Sequence, residues 1–283
     1  MPNISLILGT KKKADSQTRK AILFRTGGLG DFVLTVPLLR VIGRHFDEVL
    51  LITRPRYFAF VDALGFSLKL GDADIFDAKK ADFVQGATVF TFWSDDDWLD
   101  ELVQAGAAEV RVLTSRPDAP PHVSARMFED ANLPVPKDLF ERSWLESETP
   151  AGTSLWLHPG SGSTEKNIPL SVFVGQAEAW LADDDQGRVV FSFGEADEEL
   201  EEEIYTTDLA FHERVELVQP VSNSDLTELL LEKAAHFMGN DSGPGHLAAA
   251  LGISTHVFFR TTDPEIWHPL GPQVSHSTLS PSG

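Results

Sequence analysis

Four short segments gather the residue types that could do chemistry, and each follows an apolar run. The first, Thr26-Gly27-Gly28-Leu29-Gly30-Asp31, follows AILFR at 21–25. A glycine-rich turn at a helix start lets a ligand come close to backbone N–H groups. Val33 stands where a dinucleotide fingerprint needs glycine or alanine, and the Gly-Lys-Ser/Thr of a P-loop is absent. Gly28 and Gly30 therefore shape a turn of another kind. Asp31 reads either as a helix-start acid favoured by the helix dipole, or as a carboxylate aimed into a cleft as a general base.

The second segment is His158-Pro159-Gly160-Ser161-Gly162-Ser163-Thr164-Glu165-Lys166-Asn167. The hydroxyls of Ser161 and Ser163 and the ammonium of Lys166 suit phosphate oxygens, although the composition also suits a plain flexible loop. The third, Gly239-Asn240-Asp241-Ser242-Gly243-Pro244-Gly245-His246, ends a strand and starts a helix, with Pro244 suited to the first turn. N–H groups at such a start bind phosphate; Asp241 would orient a hydroxyl or a neighbouring loop, and His246 would donate to a leaving group. Asp241, Ser242 and His246 lie too close in sequence for a hydrolase triad, and no Gly-x-Ser-x-Gly elbow exists. The fourth is Phe193-Gly194-Glu195, where Glu195 would either accept from ribose hydroxyls or cap an acidic helix. Asp95, Asp96 and Asp97 read as helix-start acids, not as metal ligands.

The elements that must position these segments alternate. Apolar runs predict strands at 21–25, 49–53, 88–92 and 109–113. Helical spacing links Phe32, Val33, Val36, Leu39 and Ile42, and further helices are expected at 55–64, 95–105 and 123–131. A proline-marked stretch runs from Pro117 to Pro150, with a linker near 146–152. Beyond it, strands are expected at 154–157, 188–193, 215–218, 236–238 and 255–259, with helices at 170–181, 195–207, 225–235 and 244–251. Such alternation predicts α/β domains with parallel sheets covered on both faces. Ligands of such sheets bind beyond the carboxyl ends of the strands, so the four segments should share a cleft. The expected division is a flexible basic segment at 1–20, then domains at 21–148 and 149–283.

Composition narrows the partners. The 283 residues hold 23 Lys and Arg against 43 Asp and Glu, a formal charge of −20, and no cysteine. So acidic a chain is no general nucleic-acid binder, and without thiols it has neither disulfides nor a cysteine nucleophile. The imbalance is uneven: residues 151–283 hold 5 basic against 21 acidic side chains, whereas residues 1–60 hold 10 against 4. Those opening charges read either as solvated surface that serves solubility or as a field that attracts an anionic partner, with Arg40, Arg44, Arg54 and Arg56 expected to meet it. No apolar run approaches the ~18–20 residues of a membrane span, and the lysines at 11–13 follow the first apolar stretch instead of preceding it as in a signal peptide. A soluble cytoplasmic protein is expected.

A set of motifs adds a resemblance. Leu29-Gly30-Asp31 with Thr35-x-Pro37, His158-Pro159-Gly160 with Lys166 and Pro169, Asp241-Ser242-Gly243-Pro244-x-His246 running into Leu247-Ala248-Ala249-Ala250-Leu251-Gly252, and Thr262-Asp263-Pro264 with Trp267-x-Pro269 occur in order over about residues 21–272. Together they resemble glycosyltransferase family 9, the heptosyltransferases. The resemblance implies a GT-B fold: two Rossmann-like domains with parallel sheets facing a central cleft, the N-terminal one on the acceptor side and the C-terminal one binding a nucleotide-sugar donor. It implies inverting, metal-independent transfer of heptose or a related sugar from an ADP-sugar to a hydroxyl of a lipopolysaccharide core or other surface glycan. No cofactor is implied beyond the donor substrate, ADP-heptose. An anionic glycolipid or glycan acceptor would allow peripheral contact with the inner membrane surface.

Carried over by residue, the resemblance makes Asp31 the base that takes the acceptor proton. Lys166, with hydroxyls near Ser161 and Ser163, would hold the diphosphate, and Glu195 the nucleoside. Asp241, Ser242, Gly243 and His246 would meet the phosphates and donor sugar. Two places depart from the family pattern: Phe259-Arg260-Thr261 stands where a Gly-Pro pair is usual, and Asn167-Ile168 replaces the common aromatic before Pro169. The chain is also shorter than most members, a shortening expected in the acceptor domain and C-terminal tail. A protein that binds nucleotide sugars without turnover is the alternative. A sugar-nucleotide epimerase on the same fold finds no support in the Leu-Gly-Asp turn.

Overall fold

A computed structural model of the chain describes residues 18–63, 65, 67–145 and 152–279. The first domain is built from strands β1 (Lys20–Phe24), β2 (Glu48–Thr53), β3 (Lys69–Asp72), β4 (Ala87–Thr91) and β5 (Glu109–Val112), with helices α1 (Leu29–His45), α2 (Phe58–Ala63), α3 (Asp96–Gln104) and α4 (Val123–Asp130). The second holds strands β6 (Ser154–His158), β7 (Val189–Ser192), β8 (Val215–Val218), β9 (Ala234–Asn240), β10 (Ser254–Phe259) and β11 (Val274–Thr278). Its helices are α5 (Leu170–Asp183), α6 (Glu198–Ile204), α7 (Asn223–Lys233), α8 (Gly243–Ala250) and α9 (Pro264–Trp267).

Among the described residues the strands form two sheets, in the orders β3-β2-β1-β4-β5 and β11-β10-β9-β6-β7-β8, and every paired neighbour is parallel. The central strands β1 and β6 are buried along almost their whole length, which is why AILF and SLWLH read as unbroken rather than alternating runs. Strand order reverses between β1 and β4 in one sheet and between β6 and β9 in the other. A crevice opens at such a reversal. The Thr26–Asp31 turn leaves β1, the His158 loop leaves β6 and Asp241 leaves β9, so the predicted segments sit at the two reversals.

The two domains share one core. A single buried cluster takes in Phe32, Val36 and Leu39 of α1, Met127 and Phe128 of α4, Leu226 and Leu230 of α7, and Leu247 and Ala248 of α8. Burying each such side chain contributes about 1.5–3 kcal/mol, so separating the sheets is costly. The end of the first domain also docks on the second: the Leu145 N–H donates to the Ala250 carbonyl at 3.1 Å, beside a fully buried Trp144.

Five elements differ from expectation. Strands β3 (KLGD) and β11 (VSHST) carry too few apolar residues to announce themselves, because both are edge strands with one flank in solvent. The 55–64 segment divides into a 3-10 turn at Pro55–Tyr57 and α2. Helix α6 starts at Glu198, not at 195, because the Asp197 carboxylate turns back to accept the Gly194 N–H at 2.7 Å. The unexpected single turn α9 is capped by Asp263, whose side chain accepts the Glu265 N–H at 2.9 Å. Strand β1 begins at Lys20, inside the segment expected to be flexible; residues 1–17, and the expected 148/149 boundary, lie outside the described residues. Among the described residues no helix is long and apolar enough to cross a membrane.

Candidate active site between the two sheets

The starts of α1 and α8 meet glycine to glycine across the domain interface. A β-carbon on Gly30 would lie 2.8 Å from His246 Cδ2 and 3.5 Å from Gly243 Cα, and one on Gly243 would lie 2.8 Å from Leu29 Cβ. Real β-carbons do not approach so closely, so only glycine admits this contact. Gly27 serves another end: a β-carbon there would lie 2.5 Å from Asp31 Oδ2 and push the carboxylate aside. Gly28 has only Asp31 Oδ2 near it, at 3.9 Å, and leaves room.

Asp31 is clamped on the first turn of α1. Its Oδ2 accepts the Gly28 N–H at 3.1 Å and its Oδ1 lies 3.1 Å from Arg25 Nη2. Arg25, 5 % exposed at the end of β1, also donates from Nε and Nη2 to the Asp31 carbonyl at 3.0 and 2.9 Å. Burial pushes its guanidinium below the ordinary arginine range, partly offset by the Asp31 charge, and its face rests 4.1 Å over the Phe92 ring. Tyr57 braces the turn from outside by donating its hydroxyl to the Gly27 carbonyl at 3.0 Å. Arg25 and Tyr57 escape sequence reading: one ends an apolar strand, the other sits 30 residues away among apolar neighbours.

On the other wall, Asp241 is the hub. Its Oδ2 accepts from Lys166 Nζ and from Thr262 Oγ1, both at 2.7 Å, and its Oδ1 lies 3.6 Å from His246 Nε2. Burial pushes this carboxyl up, but hydrogen bonding and charge from His246 and Lys166 outweigh it and hold the group well below the ordinary carboxylate value. Asp241 thus orients the cation, and Lys166 keeps two further donors to offer. Helix α8 has no side-chain cap, so with proline at 244 the first-turn N–H groups of Gly243 and Gly245 remain to be satisfied. Beside them, Ser242 Oγ and His246 Nδ1 are buried and find no partner among the described residues. Unpaired buried donors at a helix start beside a lysine suit an anion.

The loop carrying Lys166 is braced from beneath. Asn240, fully buried at the end of β9, donates to the Pro159 carbonyl at 2.6 Å and accepts the Ile168 N–H at 3.2 Å. Arg260 donates to the Asn167 carbonyl at 2.8 Å, so the two places that depart from the family pattern touch one another. Ser161 Oγ lies 2.6 Å from both the Ser163 carbonyl and Asn167 Oδ1, and the Ser163 N–H donates back to it at 3.3 Å. The Ser161 hydroxyl therefore serves the loop's own shape, and Ser163 joins it through its backbone.

Three cavities adjoin one another through shared wall residues. The largest, about 480 Å³, is bounded by His158, Phe193, Glu195, Val221 and Asn223, with Leu29 and Arg56 from the first domain. Leu29 and Pro244 also bound the next, of about 330 Å³, which holds Gly28, Gly30, Asp31, Gly162, Lys166, Asp241, Ser242, Gly243 and His246. The third, about 190 Å³, lies within the first domain among Arg25, Gly27, Asp31, Trp93 and Arg116. Asp31 is the one residue common to the second and third. Of the expected site residues, Ser161 and Ser163 line none of the three, and Glu195 lies in the first cavity, exposed and apart from Asp31. His158 lines that cavity with Nδ1 3.0 Å from the Ser192 carbonyl; burial lowers its pKa against the opposing pull of Asp197.

The four arginines expected to face an anionic partner do not stay together. Arg40 donates to the Trp144 carbonyl at 2.6 Å, and Arg40 and Arg44 line a separate hollow near the far end of α1, Arg44 about 20 Å along the helix from Asp31. Arg54 borders none of the three cavities, whereas Arg56 borders the first. Among the described residues, no group of three or more His, Cys, Asp or Glu side chains is arranged to hold a metal ion.

Known proteins bear on this geometry. Residues 152–282 match the profile of Glycosyltransferase family 9 (heptosyltransferase). No curated protein matches the sequence. In fold, the chain is similar to E. coli ADP-heptose lps heptosyltransferase II, with a TM-score of 0.71 at 15 % identity over 94 % of this chain and 91 % of that one. It is similar to E. coli heptosyltransferase WaaC, solved with ADP, at a TM-score of 0.68 and 14 % identity over 92 % and 93 % of the two chains. A family 9 glycosyl transferase from Veillonella parvula gives a TM-score of 0.68 at 14 % identity over 93 % and 86 %. The expected GT-B architecture therefore holds across both sheets, and the family match covers the domain that carries Lys166 and Asp241. Residues 152–282 thus match the family 9 glycosyltransferase profile, and the chain shares the heptosyltransferase fold throughout.

Proposed function

We propose that the protein transfers heptose or a related sugar, with inversion and without a metal, from an ADP-sugar to a hydroxyl of a lipopolysaccharide core or other anionic surface glycan. The observation that carries this reading is the place of Asp31, the single residue shared by the cavity of phosphate-type donors and the cavity of Trp93 and Arg116. A base for a displacement must stand between the two reactants, and a residue that lines both cavities suits that role. The alternative, binding without turnover, gives no reason for a carboxylate at that junction.

On this reading the nucleoside lies in the largest cavity, against Phe193 and Val221 with Glu195 toward the ribose, and the diphosphate lies over the start of α8. The acceptor sugar lies on Trp93, with Arg116 toward its anionic group. Asp31 takes the proton of the acceptor hydroxyl as that oxygen bonds to the anomeric carbon from the face opposite the leaving group. The bond from that carbon to the diphosphate oxygen breaks, and its electron pair leaves on the nucleoside diphosphate. Lys166, Ser242 Oγ and the N–H groups of Gly243 and Gly245 meet the growing charge, donors fixed before the reaction at the boundary of the two domains. Arg25 and Gly28 hold the carboxylate in line. Acceptor contact from the cytoplasmic face needs no membrane span.

The test is a binding panel followed by product analysis. ADP should bind in preference to UDP and GDP. Incubation with ADP-heptose and a lipopolysaccharide-core acceptor should release ADP, in the presence of EDTA as in its absence, with the new glycosidic carbon inverted by NMR. Failure of all three nucleotides to bind would end the donor-site reading, and a retained configuration would end the single-displacement mechanism.

A further inference from the structure

The largest cavity is a pocket of the second domain except at two places, Leu29 and Arg56, which the first domain contributes. Among the described residues, Arg56 is the only lysine or arginine on its wall, as Lys166 is on the wall of the adjoining cavity. The two differ in electrostatic state. Lys166 is already paired with Asp241 at 2.7 Å, so that pair is locally neutral. Arg56 is exposed, and its guanidinium lies 5.3 Å over the ring of Tyr57, a neutral neighbour. Residues 151–283 carry 21 acidic against 5 basic side chains, so a polyanionic ligand entering this domain meets an opposing field. The net positive charge nearest to it across the cleft comes from the other domain.

We propose that Arg56 contacts the phosphates of the bound nucleoside diphosphate from the first domain, so that both domains hold the donor. Its backbone is placed for this by the Pro55–Tyr57 turn. Tyr57 in turn donates to the Gly27 carbonyl at 3.0 Å and stacks on Phe32 at 4.8 Å, which ties the nucleotide contact to the turn that carries Asp31. A guanidinium suits the role because its planar fork meets two phosphate oxygens at once. The inference rests on the donor-site reading above and departs from the expectation that Arg56 meets the acceptor.

The test measures ADP and adenosine affinity by calorimetry for the wild type, Arg56→Ala, Arg56→Lys, Arg54→Ala and Lys166→Ala, with the thermal midpoint of each. Arg56→Ala should weaken ADP about tenfold or more, Arg56→Lys should recover part of the loss, and adenosine should change little. Arg54→Ala, a neighbouring cation that borders no cavity, should bind like the wild type. In turnover, Arg56→Ala should raise the donor KM and leave the acceptor KM unchanged. Wild-type ADP affinity in Arg56→Ala alongside a loss in Lys166→Ala would overturn this inference and leave the donor site standing. Unchanged affinity in both variants, or no ADP binding by the wild type, would overturn both. An equal loss for ADP and adenosine would overturn the phosphate contact.

Discussion

Gly30 of the first domain lies directly against His246 of the second, with no room between them for a single methyl group. This contact joins the turn that carries Asp31 to the helix that carries the phosphate-type donors, and it sets the width of the cleft. A wedge there should act on binding as well as stability. Gly243→Ala, whose β-carbon would meet Leu29 Cβ at 2.8 Å and the Gly30 nitrogen at 3.1 Å, should lower unfolding free energy by about 1–3 kcal/mol and weaken ADP. Gly175→Ala is the counterpart: it is exposed within α5, nothing lies within 4 Å of its β-carbon, and it should stabilise by about 0.5–1 kcal/mol. Denaturant titration of the two variants checks both signs.

Asp241 should shape the acid limb of the stability curve. Its pKa is lower folded than unfolded, so its contribution is present above the ordinary carboxylate value and fades as pH falls below about 4. Asp241→Asn should therefore be less stable than the wild type at pH 7, and the gap should close on acidification. Urea midpoints from pH 7 down to pH 3 give the comparison; a gap that widens toward pH 3 would contradict the assignment.

His122 should act over a different range. It caps α4 through Nδ1, and Nε2 lies 2.8 Å from the His268 carbonyl across the domain boundary. Burial, with the neighbouring His268, pushes its pKa down to about 3. Below about pH 6.5 the unfolded chain takes up a proton that the folded chain refuses, which costs up to about 1.4 kcal/mol per pH unit from this one group until pH approaches 3. His122→Asn should show a shallower loss of stability between pH 6.5 and pH 4 than the wild type, whatever its stability at neutral pH.

The positions of the two reversals were legible in the sequence, because glycine, proline and hydroxyl residues follow the unbroken apolar strands at 21–25 and 154–157. What was not legible is the work done by partners distant in sequence. Ser161 looks like a phosphate donor in a linear reading, yet Asn167 and the Ser163 carbonyl absorb its hydroxyl. Lys166 reads as a lone cation, and only the fold puts Asp241, 75 residues later, against it. Arg25 ends an apolar run like any strand residue, and only the turn back of α1 places it on Asp31. Edge strands β3 and β11 escaped because a strand with one solvated flank needs no apolar pattern.

The acceptor side offers its own prediction. Trp93, 39 % exposed, packs its ring 5.5 Å from Phe24 and 5.4 Å from Trp98, a rigid platform beside Arg116. Trp93→Ala and Arg116→Ala should each raise the acceptor KM about tenfold and leave ADP affinity within about twofold, since neither borders the first two cavities. Initial rates against acceptor at saturating donor check this, and a rise in donor KM alone would count against it.

The central claim is that Asp31 takes the acceptor proton, and its most direct test is Asp31→Asn. The amide keeps the shape and loses the base. Its kcat for sugar transfer should fall by about 10²–10⁴-fold while calorimetry finds ADP bound within about threefold of the wild type. A variant that binds ADP normally and turns over within about tenfold of the wild type would contradict the account, because the junction between the two cavities would then hold no base.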